Sequence, residues 1–163
     1  MDNSLRNIKS DMYENWPEYA KTMSLSLLQM VNFQQLFKHE IQVFITRFGL
    51  QKADFGVLVT LRRSAKPYCL SPTELYKHML FSSGGLTKVL TRLVDAGLIE
   101  RLENEQDKRC KLVKLNYNGQ QLIEEMMPQL HLQQKKLLEG LSEKEVLQLE
   151  GLLQKALDYH EKI

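Results

Sequence analysis

Apolar residues recur along most of the chain at helical spacing. Leu5, Ile8, Met12 and Trp16 fall three or four positions apart before Pro17, which fits either a short amphipathic first helix docked on the body or a frayed tail. From Leu25 to Phe48 the residues Leu28, Val31, Phe33, Phe37, Ile41, Phe44 and Phe48 return every two to four positions, fitting one long helix that Gly49 ends. A shorter helix follows, with Phe55, Leu58, Val59 and Leu61 as its core stripe and Lys66-Pro67 as its break. Ser71-Pro72-Thr73-Glu74 is a capping box with proline at the first helical position, opening a helix that carries Leu75, Met79 and Leu80. Ser82 is predicted to cap the next helix. In it Leu86, Val89, Leu90 and Leu93 stand at i, i+3, i+4 and i+7, and Gly97 marks its end.

Past Gly97 the period changes. Leu98 to Glu103 and Cys110 to Leu115 read as two strands around the polar stretch Asn104 to Lys108, a hairpin with a charged tip. Asn116 then caps a helix running through Leu122, Met126 and Leu130, with a kink expected near Pro128. Ser142 to Glu145 is a second capping box. It leads a final helix with Val146, Leu149, Leu153 and Ala156 near heptad spacing. The fold class expected is mostly α with a small β-hairpin wing (α+β). Residues 1–48 and 117–163 supply terminal helices, residues 49–116 form the central module, and all fold together as one domain.

Composition changes little in this picture. Of 163 residues 43% are hydrophobic and 26% charged, as in a soluble globular protein, and no apolar run approaches the roughly 20 residues of a membrane span. The first residues are too polar for a secretory signal, so the expectation is a cytoplasmic chain. Cys69 and Cys110 lie far apart without a CxxC spacing and are expected to be reduced thiols.

Charge distribution says more than the net +2. Residues 61–93 hold six Lys and Arg against Glu74 alone, whereas residues 119–163 hold five Lys against eight Asp and Glu. A basic middle beside an acidic tail is what a chain shows when one lobe meets a polyanion and the other does not.

Helix, tight turn, helix and hairpin is the winged form of the DNA-binding helix-turn-helix, whose second helix enters the major groove. With Leu86, Val89, Leu90 and Leu93 turned inward, the opposite face presents Ser83, Gly84, Thr87, Lys88, Thr91 and Arg92, all small, hydroxylated or cationic. Hydroxyls can bond phosphates or base edges, cations can reach guanine or phosphate, and glycines at 84 and 85 let the backbone approach the duplex. Ser71, Thr73 and Ser82 complete the expected contacts from the helix starts. Asp107, Lys108, Arg109 and Lys111 surround the hairpin tip, where an arginine can enter the narrow minor groove and Asp107 can steady it.

These residues resemble the MarR (multiple antibiotic resistance regulator) family of transcription factors. The resemblance rests on Ser82 to Leu93, on Gly97-Leu98-Ile99-Glu100-Arg101, and on Asp107-Lys108-Arg109 with Val113-Lys114-Leu115. Asn116 stands where the family usually has threonine, and Gln51 where a capping Thr or Ser is common. The resemblance implies a homodimer, with helices from both chain ends interlocking as dimerisation helices. A two-fold dimer would read a pseudo-palindromic double-stranded operator, and by occluding a promoter it would repress. The resemblance also implies a small, often aromatic or anionic effector, for which Trp16, Met30, Phe33 and His39 are candidate lining residues, with ordinary core packing as the simpler reading of each.

No enzyme is expected. The chain has no GxGxxG, no phosphate loop and no HExxH, and Ser82 to Gly85 lacks the Lys-Ser or Lys-Thr of a phosphate loop. His39, His78, His131 and His160 share no ligand spacing, so no metal or cofactor is expected. Cys110, beside Arg109 and Lys111, has the neighbours of a thiol sensor, although an inert strand cysteine is the simpler reading. The alternative from another class is a winged-helix adaptor that binds protein instead of DNA.

Overall fold

The computed structural model describes residues 5–79, 85–104 and 111–161. The element order is α1 (Leu5–Asn15), α2 (Pro17–Ala20), α3 (Leu25–Arg47), α4 (Lys52–Arg63), β1 (Cys69–Leu70), α5 (Pro72–His78), α6 (Leu86–Asp95), β2 (Ile99–Glu103), β3 (Lys111–Leu115), α7 (Tyr117–Lys136) and α8 (Glu143–Glu161). The chain forms two compact units, Met1–Val43 and Phe44–Ile163, and the division falls within α3.

In the first unit α1 and α2 are in contact, and the ring of Trp16 between them meets that of Tyr19 edge-on at 4.7 Å. Ala20 and Ile41 are buried there. Most other apolar side chains of α3 before the division, including Leu27, Met30, Val31, Phe33 and Leu36, stay exposed.

The second unit is organised around α4, which packs against α5, α6, α7 and β3. Val57, Leu58 and Leu61 of α4 are fully buried, joined by Leu75 of α5, Leu93 of α6, Val113 of β3 and Met126 of α7. The first turn of α4 shows why Gln51 suffices as a start. Its backbone N–H donates to Asp54 Oδ2 at 2.8 Å, so the acid three residues on provides the cap.

The sheet has three strands, not the two of the expected hairpin. Its order is β1-β3-β2, all antiparallel, with Ile99 opposite Leu115 and Glu103 opposite Lys111 in the β2–β3 ladder. Cys69 pairs with Lys114 and Leu70 with Val113, and the Leu115 N–H donates to Tyr68 O at 3.0 Å. A two-residue strand has no period of its own. It exists because β3 offers a second edge of backbone donors and acceptors.

Two helix boundaries also differ from expectation. Met79 is extended at the end of α5 (φ −73°, ψ 128°), so the helix closes at His78, short of the expected Met79 and Leu80. Gly85 is the N-cap of α6, in the left-handed region at φ 87°, instead of Ser82. A right-handed helix cannot run through that conformation, and glycine adopts it without the Cβ clash other residues meet. Ser82, Ser83 and Gly84 lie outside the described residues. The other end of α6 is as expected, with Gly97 at φ 66° and the Leu98 N–H donating to Leu93 O at 3.0 Å.

Asn116 joins α6, β2 and α7 at one point. Its Oδ1 accepts the Gly119 N–H at 3.0 Å, capping α7, while its Nδ2 donates to Gly97 O at 2.8 Å. Gly119 is buried against Leu98, and a Cβ built there would run into Leu98 O and Leu115 Cδ1. The residue must be glycine for α7 to come this close. Helix α7 continues through Pro128 as a single element.

Candidate nucleic-acid interface

Helix α6 divides cleanly into two faces. Val89, Leu90 and Leu93 are buried and Leu86 is half-buried, while Thr87, Lys88 and Thr91 are exposed. Because i, i+3 and i+4 positions share a face, the three exposed residues form one surface of two hydroxyls and an ammonium. Thr91 Oγ1 donates to Thr87 O at 3.0 Å, which leaves its lone pairs for an incoming donor. Asp95, also exposed, follows Thr91 by one turn on the same surface. Its negative charge repels phosphate, so it limits the phosphate-friendly face to the first two turns of the helix.

Arg92 behaves differently from its neighbours. Its guanidinium is turned to Asp54, with Nη2 at 2.6 Å and Nε at 3.0 Å from Oδ1. These hydrogen bonds push the arginine still further above its ordinary range. Sequence reasoning missed Asp54 as a partner of this face. Its only local signal was the capping spacing with Gln51, and Arg92 is 38 residues away.

The start of α5 is held by a closed capping box. Ser71 Oγ accepts the Glu74 N–H at 3.2 Å and donates to Glu74 Oε2 at 2.7 Å, and the Ser71 N–H donates to the same oxygen at 2.9 Å. The hydroxyl hydrogen bond, then the backbone one, hold the Glu74 carboxyl below its usual range. Ser71 is thus engaged within the chain, while Thr73 is exposed, as are Lys77 and His78 in the last turn. Arg63, from α4, donates through Nη2 to His78 O, tying that last turn back to α4.

At the wing, Lys111 is the exposed first residue of β3, opposite Glu103. Lys114 Nζ meets Glu100 Oε1 at 2.8 Å across the ladder, and that hydrogen bond raises the lysine above its usual range. Asp107, Lys108, Arg109 and Cys110 lie outside the described residues. Cys69 is a free, half-buried thiol that burial pushes up in pKa, against a smaller opposing effect of Lys114.

Of the four candidate effector residues, Trp16 is the one that lines a groove, an open one of about 510 Å³ shared with Ile8, Asp11, Met12 and Asn15. Met30, Phe33 and His39, exposed on α3, do not line it. Among the described residues no group of three or more His, Cys, Asp or Glu could hold a metal ion, and no helix is long and apolar enough to cross a membrane.

Comparison with known proteins adds relatives to this geometry. A model of the MarR family matches residues 48–109. The multiple antibiotic resistance protein MarR of Escherichia coli (strain K12) is 36% identical over 135 residues, covering 80% of this chain and 88% of that protein. A crystal structure of a mutant E. coli MarR complexed with operator DNA superposes with a TM-score of 0.64 at 34% identity, over 90% of this chain and 97% of that one. Bordetella bronchiseptica BpsR, whose DNA binding is regulated by 6-hydroxynicotinic acid, superposes with a TM-score of 0.69 at 26% identity, over 84% and 95% of the two chains.

Proposed function

Because the chain belongs to the MarR family, we propose that it is a sequence-specific DNA-binding transcriptional repressor, dimeric and cytoplasmic, that performs no chemistry of its own. The observation that carries this reading is the exposed Thr87, Lys88 and Thr91 surface on a helix whose other side is buried. Such a face suits base edges and phosphates, whereas a protein-binding adaptor would present apolar or aromatic anchors there. Thr73 and Lys111 add contacts to the sugar-phosphate backbone. Arg109, with Lys108 and Asp107, is assigned to the minor groove on its place in the chain.

Two copies related by a two-fold axis read a pseudo-palindrome whose half-sites lie about one helical turn apart. A bound dimer occludes a promoter without further machinery, which favours repression. The operator complex of the E. coli relative and the aromatic acid that regulates BpsR support a duplex and a small aromatic or anionic effector as partners.

Selection from a random duplex pool tests the reading. The expected result is an inverted repeat with half-sites about one turn apart, bound less tightly as salt rises. Failure to enrich any sequence would contradict it.

A further inference from the structure

The Asp54 carboxylate serves two helices at once. Its Oδ2 takes the Gln51 N–H at 2.8 Å, closing the first turn of α4. Its Oδ1 takes Arg92 Nη2 at 2.6 Å and Arg92 Nε at 3.0 Å, with Nε also 3.1 Å from Oδ2. Asp54 is 1% exposed. A charge so buried is held only by close partners, and Arg92 is the cation that meets it.

Helix α6 needs such a device because its apolar stripe is non-directional. Burial of Val89, Leu90 and Leu93 fixes how deeply the helix sits better than how far it is turned about its own axis. Arg92 stands at the edge of that stripe, one residue after Thr91 and four after Lys88, where directional hydrogen bonds resist rotation. At a side-chain radius of about 5 Å, a turn of about 20° would carry Thr87, Lys88 and Thr91 by about 2 Å, enough to break hydrogen bonds to base edges.

We propose that Asp54 and Arg92 form a positioning clamp that sets the rotation of α6, so that Arg92 acts on sequence recognition through Asp54 and not as a contact to base or phosphate. The clamp rests on the DNA-binding reading above. It makes Asp54, which touches no DNA, a determinant of specificity, and it reassigns the one arginine of α6.

The test is equilibrium binding of the full chain to its selected duplex and to random duplex across a salt series, for wild type, Asp54→Asn, Arg92→Gln and the double variant. Each single change is expected to lower the ratio of selected to random affinity about tenfold, and the double variant to be no worse than the worse single one. The salt slope is expected to stay at the wild-type value. A slope reduced by about one in Arg92→Gln, with specificity intact in Asp54→Asn, would make Arg92 a direct phosphate contact and overturn the clamp. If Asp54→Asn does not fold, Arg92→Lys decides, since it keeps the charge and loses the two-nitrogen grip: an unchanged ratio overturns the clamp, and a tenfold loss supports it. A wild-type chain with no preference for any duplex would overturn the DNA-binding reading and the clamp with it, before any variant is compared.

Discussion

Helices α6 and α8 are both amphipathic in sequence, yet only one of them finds cover within the chain. In α6 the apolar stripe of Val89, Leu90 and Leu93 is buried, and what remains outside is Thr87, Lys88 and Thr91. In α8 the heptad-like Val146, Leu149 and Leu153 are only half-buried, and Leu147, Leu152, Leu157 and Tyr159 are each more than half exposed. A helix with its oily side satisfied offers polar groups to a polar partner. One with apolar side chains on several sides still in water has burial left to gain, at roughly 25 cal/mol per Å², and a second copy of the chain is the occupant the proposed dimer supplies. The acidic balance of residues 119–163 fits the same division, since it keeps this end away from DNA.

The two helices should therefore fail differently. Leu93→Ala, at a position 1% exposed, is expected to destabilise the second unit by about 2–5 kcal/mol in denaturant titration. That loss should not depend on protein concentration. Replacing Leu152 and Leu157 by Glu should leave the winged module folded and weaken self-association about a hundredfold, seen by sedimentation as a shift to monomer. If the Leu152 and Leu157 variant melts like Leu93→Ala even at high concentration, α8 belongs to the intramolecular core and the contrast between the helices is lost.

The caps give a smaller and finer contrast. Ser71 with Glu74 starts α5 and Ser142 with Glu145 starts α8, and in both boxes the serine hydroxyl lowers the carboxyl pKa from its ordinary 4.5. A carboxyl depressed on folding contributes stability that is fully present above its unfolded value and is lost as pH falls through the folded one. Thermal melts taken from neutral pH downwards should show that loss below about 4.5. Glu74→Gln should remove part of it, and a melting curve with the same acid dependence as wild type would deny the cap that role. Ser71→Ala should cost about 1 kcal/mol at neutral pH.

Much of this was legible in the sequence because it is local. Both capping boxes, the Asn116 cap, the glycine ends at Gly49 and Gly97 and the i, i+3, i+4, i+7 stripe of α6 are patterns within a few residues, and each appears where expected. Apart from the end of α5 and the start of α6, what escaped depends on distant partners. Strand β1 is created by β3, Gly119 is demanded by Leu98, and Arg62 pairs with Glu124 at 2.9 Å across 62 residues of sequence. Arg92 showed the same limit. Its residue type and its place in the helix suggested a DNA contact, and only the packing of α4 on α6 placed Asp54 beneath it.

The most direct measurement repeats the selection from a random duplex pool with Lys88→Ala beside the wild type. If the exposed face of α6 reads base edges, the preferred sequence changes at one or two positions in each half-site while their spacing stays the same. Identical preferred sequences with identical affinity would show that Lys88 meets no base, and that the duplex, if bound at all, is read by another part of the chain.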